Sequence, residues 1–259
     1  MPNVARIDVT AEMAACVKAL GGEVLDEILP PTRDYKNADY SFGADGIIVE
    51  LKIVETEVAN DETFISRASK LHERWLAEGR IAPSISQPKG DGLFEFSTSD
   101  LPDDCVHELL GIVRERVFRE LFKKASAQIK QTRERRGPAD AKGLLLLCVD
   151  SDTGLSLRVV WHVIGALMMR HGSRFRGIDS IVAFSANYAV GLPGQPQFRP
   201  WMFITGPDRP PIDAAFVRRL GVAWQERIAA HGGHQVLPMG DGTGAVLDDL
   251  LGVNFQPIA

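Results

Sequence analysis

Apolar residues recur along the chain with two periods, one near 3.6 and one of 2, and each change of period marks a new element. In "DVTAEMAACVKALGG" Met13, Cys16, Val17 and Leu20 fall at helical spacing, with Thr10 placed to cap the first turn, Glu12 inside it and Gly21-Gly22 as a stop. Pro30-Pro31 then breaks the chain. Beyond it, "DYSF" and "IIVELKIV" flank the "FGADG" turn, which reads as a strand, a tight turn and a strand. Residues 61–79 predict an amphipathic helix, followed by a Pro/Ser/Gly loop from Pro83 to Gly92 and a short strand in "LFEFST". A long helix begins after Asp100 and Pro102 and runs to about Arg136, where Gly137-Pro138 ends it.

"GLLLLCVD", residues 143–150, carries no alternation at all. Such a run suits a central strand whose two faces are both covered. A helix in "LSLRVVWHVIGALMMRHG", a buried strand in "IDSIVAFSAN", a further strand in "RPWMFITG" and a last helix, capped by Asp213 and stopped by Gly232-Gly233, complete the series. The order predicts an α/β fold with a mixed central β-sheet flanked by helices. A chain of 259 residues suits one elaborated domain. Trp75, Trp161, Trp201 and Trp224 all fall in predicted elements and read as packing residues.

At 45% hydrophobic and 24% charged residues, the composition is that of a globular chain rather than a disordered or fibrous one. The start lacks a basic segment leading into an apolar one, and the apolar runs fall well short of the ~18 residues of a membrane span, so a soluble, cytoplasmic protein without membrane contact is expected. Cys16, Cys105 and Cys148 are odd in number and widely spaced, which predicts buried thiols rather than a disulfide framework or a C-x-x-C metal site. A net charge of -5 provides no global attraction for a polyanion. Any nucleic-acid surface must therefore be local, in "KKASAQIKQTRERR" (123–136) or "RHGSRFR" (170–176). The first of these is equally the solvated, cation-rich end of a helix.

The chemistry concentrates in the hairpin. If Phe42 faces Ile47 across the turn, then Ser41 faces Ile48, Tyr40 faces Val49 and Asp39 faces Glu50, which brings two carboxylates about 4.5–5.5 Å apart at Cβ. The strand period of two adds Lys52 to the face of Glu50, and a shorter "DG" turn would pair Asp39 with Lys52 while keeping all three on one face. Like charges opposed in this way need neutralising. Two carboxylates with carbonyls and water suit Mg2+ or Mn2+, and the lack of a neighbouring Cys or His disfavours zinc. Beside such a cation, an ammonium orients water or stabilises developing charge, which is phosphodiester hydrolysis chemistry.

"AD" on one strand followed by "ELK" on the next resembles the PD-(D/E)xK nuclease superfamily, with Ala38 where the pattern often has proline. The resemblance implies a restriction-endonuclease-like core over about residues 8–150 with a C-terminal α/β extension over 151–259. It further implies Asp39 and Glu50 as metal ligands and Lys52 acting on the water. Some members carry an acid near the start of the first helix, which by position resembles Glu12, with Glu23 and Glu27 as alternatives. Many place a glutamine or lysine on the long helix before the next buried strand. Gln128, Lys130 and Gln131 stand there; Gln128 and Gln131 share a helical face and Lys130 points elsewhere, so Gln128 ranks first. The implied function is Mg2+- or Mn2+-dependent hydrolysis of phosphodiester bonds in nucleic acid, endo- or exonucleolytic, with DNA and RNA not distinguished. The alternative is a catalytically inactive nuclease-fold protein that binds nucleic acid or a protein partner. Assembly into a homodimer is left open.

Three other motifs weigh less. "MGDGTGA" (239–245) resembles a phosphate-cradling loop but lacks the lysine of a P-loop and reads as a turn. His231 and His234 in "HGGH" have no acidic or thiol neighbour in sequence to complete a metal site. Asp150 and Asp152 follow the apolar strand where α/β active-site residues often sit, but a turn and an N-cap for the next helix explain them.

Overall fold

The computed structural model describes residues 6–32, 34–54, 61–82, 87–88, 94–95, 101–138, 140–150, 157–171, 174–189, 199–206, 208–231 and 256–257. The elements in chain order are α1 (Val9–Ala19), β1 (Glu23–Val24), α2 (Leu25–Ile28), β2 (Tyr40–Phe42), β3 (Ile47–Val54), α3 (Glu62–Ala77), β4 (Gln87–Pro88), β5 (Phe94–Glu95), α4 (Asp103–Val113), α5 (Arg119–Arg136), β6 (Lys142–Val149), α6 (Leu157–His171), β7 (Ser180–Phe184), β8 (Tyr188–Ala189), β9 (Trp201–Thr205), α7 (Ala214–Ala229) and β10 (Gln256–Pro257). A π-helical stretch, Arg114–Phe118, joins α4 to α5, so the long helix predicted from Pro102 to Arg136 is continuous but changes its winding once.

Six strands form one mixed sheet in the order β1-β2-β3-β6-β7-β9. β3, β6 and β7 run parallel, with eight residue pairs from Ile47↔Lys142 to Val54↔Val149, while β1, β2 and β9 are antiparallel to their neighbours. The α/β class with a mixed, helix-flanked sheet is therefore as the hydrophobic pattern predicts. The sheet continues without a break across residue 150, because β7 and β9 extend the ladder begun by β3 and β6. Two short ladders, β4-β5 and β8-β10, lie outside it. Among the described residues no helix is long and apolar enough to cross a membrane.

Each face of the sheet has its own core. On one, Ile47, Val49, Leu144, Leu146 and Val182 pack with Met13, Val17, Phe216 and Trp224 of α1 and α7. On the other, Ile48, Leu145, Leu147 and Ile181 pack with Val113, Phe122, Ile129 and Ile164 of α4, α5 and α6. Burial on both sides explains why "GLLLLCVD" shows no alternation. A satellite core around Trp75, Cys105 and Leu109 joins α3 to α4. Trp75 and Trp224 are fully buried, and Trp161 and Trp201 pack against the two main cores. All three cysteines are buried and free, as expected.

Two sequence expectations need correction. The N-cap of α1 is Asp8, whose Oδ1 accepts from the Ala11 N–H at 3.0 Å; Thr10 lies inside the helix. Asp150 does not cap α6; it is fully buried and its carboxylate accepts from the far side of the sheet end, from Ser185 Oγ (2.9 Å) and the Ala186 and Asn187 N–H groups (3.0 and 2.8 Å). Asp152, His234, Gly232-Gly233, most of the loop from Pro83 to Gly92 and the 239–245 motif lie outside the described residues.

α5 is held in place by a polar anchor. Asp179, just before β7, accepts from Arg133 Nη2 and from the Gly143 N–H, both at 2.7 Å. Gly143 has no room for a side chain, since a Cβ there would stand 1.8 Å from the Gly177 carbonyl oxygen. This close approach draws β6 and the start of β7 together beneath α5, and so fixes the height of α5 over β3.

Candidate active site

The hairpin register is Tyr40↔Val49, Ser41↔Ile48 and Phe42↔Ile47, the pairing deduced from the turn length. One step further out, Asp39 stands alongside Glu50. Here the ladder ends for a physical reason: Asp39 Oδ2 accepts from the Leu51 N–H at 2.7 Å, so a carboxylate takes the place of a main-chain acceptor. The freed backbone of β2 turns to its neighbours. The Leu25 N–H donates to Asp39 O (2.8 Å) and the Ala38 N–H to Thr132 Oγ1 on α5 (2.7 Å).

Glu50 shares the sheet face of Ile48 and Leu145, toward α5, and its exposure is 0%. Lys52, two residues on and 19% exposed, forms an ion pair with Glu50 Oε1. Lys52 Nζ also donates to Gln128 Oε1 at 3.1 Å, and Gln128 Nε2 donates to the Asn37 carbonyl at 2.9 Å. Asp39, Glu50, Lys52 and Gln128 are thereby gathered at one place between β3, α5 and the strand entering the hairpin. Lys130, as the helical spacing requires, points away and pairs with Glu134. Gln131 Oε1 accepts from the Lys36 N–H at 3.3 Å.

The charges at this point do not balance. Burial, and then the neighbouring Asp39 carboxylate, push Glu50 up to about 8, against the opposing pull of Lys52. Burial also raises Asp39, while the Leu51 hydrogen bond and Lys52 hold it down. Glu50 Oε2 is buried and, among the described residues, makes no well-formed hydrogen bond, although the Asp39 N–H lies close enough to ease the carboxylate. A buried oxygen left in this state is costly unless something else supplies a positive or donating group.

The three helix-acid candidates go elsewhere. Glu12 lies across the sheet: it forms an ion pair with Arg227 and stands 3.1 Å from His231 Nε2, because Met13, Cys16 and Val17 turn α1 toward α7 on the opposite face from Glu50. Glu23 accepts from Ser41 Oγ (3.0 Å) and Glu27 pairs with Lys18 (2.7 Å). The acid that approaches is Asp26, exposed on α2. Its Oδ1 accepts from Asn37 Nδ2 at 3.2 Å, and its charge contributes to raising Asp39. Asp26, Asn37 and Thr132 escape sequence reasoning. For Thr132 a signal exists, since it stands one turn beyond Gln128 on the same helix face; four-residue α2 is too short to show a period. A cavity of about 100 Å3 opens at the turn end of the hairpin beside Glu23, Ser41, Ile48 and Arg136, and shares none of the four gathered side chains.

The donor set suits a hard cation. Glu50 Oε2 and the second oxygen of Asp39 would offer oxygen ligands without a competing thiol or imidazole, and Mg2+ is commonly held by one or two carboxylates with substrate phosphate and water completing its shell. Among the described residues no group of three or more His, Cys, Asp or Glu side chains is arranged to hold a metal ion. Comparison of the chain with family models, with curated proteins and with solved structures finds no match.

Proposed function

We propose that the protein is a divalent-metal-dependent nuclease that hydrolyses phosphodiester bonds, and that its core is restriction-endonuclease-like. The observation that carries this reading is the orphaned, fully buried Glu50 Oε2, set beside Asp39 and next to an ammonium held by Gln128. Asp39 and Glu50 would hold Mg2+ or Mn2+, which when bound polarises a phosphoryl oxygen and acidifies water. Lys52 is positioned from two sides, by Glu50 and by Gln128, so that its ammonium orients water or meets developing negative charge. Gln128 is a positioning residue: it spans Lys52 and the Asn37 carbonyl and fixes the distance between β3 and the segment that carries Asp39.

The test is incubation of the full chain with single-stranded, duplex and branched DNA and with RNA, in Mg2+ and in Mn2+. Cleavage is expected that disappears with chelator and falls about 10²–10⁴-fold in Lys52→Ala, with a comparable loss in Asp39→Ala. Lys130→Ala, on the outer face of the same helix, should cleave as the parent does. Absence of metal-dependent cleavage on every substrate, with the fold intact by circular dichroism, would refute the reading.

A further inference from the structure

We propose that the protein's substrate is a single-stranded polynucleotide, held along α5 by a base-stacking platform at Tyr35 and a short cationic track leading to Lys52. This inference rests on the nuclease reading of the Lys52 site and adds the class of nucleic acid.

The segment entering the hairpin is laid antiparallel along α5, one contact per helical turn. Arg135 donates to Asp34 through both terminal nitrogens at 3.2 Å, Gln131 accepts from the Lys36 N–H, and Gln128 donates to the Asn37 carbonyl. Residues 124, 128, 131 and 135 lie on one helical face, so exposed Lys124 stands a turn beyond Gln128 in the same row. Between Arg135 and Lys36 the Tyr35 ring is half-buried, with the Arg135 guanidinium 4.4 Å from its centroid. The guanidinium braces one side of the ring, and the ring and cation together form the kind of surface on which an unpaired base stacks.

Spacing supports the same occupant. Seven residues of helix separate Gln128 from Arg135, about 10 Å of rise. That corresponds to about three stacked nucleotides between the platform and the Lys52 ammonium. A base inside a duplex has both faces covered by its neighbours and its edge engaged, so along its length a single strand, and not a duplex, offers base faces to Tyr35. Three other cations of the cluster are less available: Lys123 faces Glu120, Lys130 faces Glu134 and partly buried Arg133 is committed to Asp179, while Arg136 lies at the cavity by the hairpin turn. Among the described residues no carboxylate is found against the side chains of Lys36 or Lys124, which leaves these two for phosphates, while Arg135, paired with Asp34, braces the Tyr35 ring. Asp34, 76% exposed, is an acid beside this track that holds Arg135 and works against it.

The experiment measures fluorescence anisotropy of labelled oligothymidine, oligouridine and a blunt DNA duplex with the full chain in chelator, so that binding is read without cleavage. At least one single strand should bind more tightly than the duplex. Tyr35→Leu should weaken single-strand binding about tenfold, while Tyr35→Phe retains it and both variants melt as the parent does. Lys124→Ala should reduce the slope of log affinity against log salt by about 0.7. Asp34→Asn should tighten binding even though it removes an ion pair, an outcome opposite to that of a merely structural role. Equal or tighter duplex binding, no binding of either single strand, parental affinity in Tyr35→Leu, or weaker binding in Asp34→Asn would each overturn the inference. Metal-dependent cleavage indifferent to strandedness and to Tyr35 would remove it and leave the nuclease reading standing. Tyr35-dependent single-strand binding without cleavage in Mg2+ or Mn2+ would remove the nuclease reading, and with it the word substrate, and leave the Tyr35 platform as a binding site.

Discussion

Two acids at neighbouring strands of the same sheet, Glu50 on β3 and Asp150 just past β6, are both fully buried, and they are treated in opposite ways. Asp150 is saturated with donors. Its Oδ1 receives Ser185 Oγ and two backbone N–H groups, its Oδ2 receives Asn187 Nδ2, and Arg6 donates to its carbonyl at 3.1 Å. Buried Arg199 lies in its field: burial pulls that guanidinium below its ordinary range and Asp150 pushes it back. Glu50 has one cation on one oxygen, no well-formed hydrogen bond on the other beyond the nearby Asp39 N–H, and a second carboxylate beside it. A carboxylate with all its lone pairs engaged closes a structure. One left with an orphan oxygen and a like charge beside it stores unfavourable energy that a cation can release, and perturbed groups of this kind concentrate at functional sites.

If that contrast holds, removing the two acids should move stability in opposite directions. Asp150→Ala is expected to have the largest effect, a loss of about 3–5 kcal/mol in denaturant unfolding, because four donors lose their acceptor and the buried Arg199 guanidinium loses the charge that faces it. A loss under about 1 kcal/mol would show that the network is not what joins the ends of β6 and β7.

Glu50→Gln should stabilise instead. The folded chain keeps a proton on Glu50 up to about pH 8, whereas the unfolded chain, with an ordinary glutamate near 4.5, releases it earlier; stability therefore falls as pH rises through that window. The variant should lose this slope and gain on the order of 3 kcal/mol above the window. Mg2+ should raise the melting temperature of the parent at the alkaline end, where the carboxylate is ionised, and leave Glu50→Gln unmoved. Urea titrations across the pH range, with and without Mg2+, check all three statements.

The same contrast explains what could be foreseen from sequence. The Glu50 site was legible because everything that assembles it is local or periodic. The length of "GADG" and the alternation of Tyr40, Phe42, Ile47 and Val49 leave one register, and a period of 3.6 separates Gln128 from Lys130. Asp150 was not legible, because "CVDSDTG" carries the residue types of a helix cap while the donors that actually use it lie some 35 residues downstream. Glu12 failed for a related reason: periodicity shows that α1 has an apolar stripe but not on which face of the sheet the stripe lands, and it lands with α7. At the start of α1, Asp8 and Thr10 are both capping residue types, and only the backbone decides between them. β1 and α2, with two and four residues, are shorter than any period, so Asp26 arrived unannounced.

The smallest effect tests the link between tethering and chemistry. Thr132→Val keeps volume and removes the hydroxyl that accepts from the Ala38 N–H, leaving a buried donor unsatisfied at a cost of about 1–2 kcal/mol. Ala38 precedes Asp39, so the tether also fixes where the Asp39 carboxylate sits relative to Glu50. Hydrogen exchange separates the two roles. The Leu51 amide, donated to Asp39 Oδ2, should exchange faster in Thr132→Val than the loss of global stability accounts for, whereas the amides of β6 should follow global stability alone. Uniform acceleration across the sheet would mean that α5 merely packs on the hairpin. Selective release of Leu51 would mean that it aims Asp39, and cleavage should then fall further than the lost stability explains.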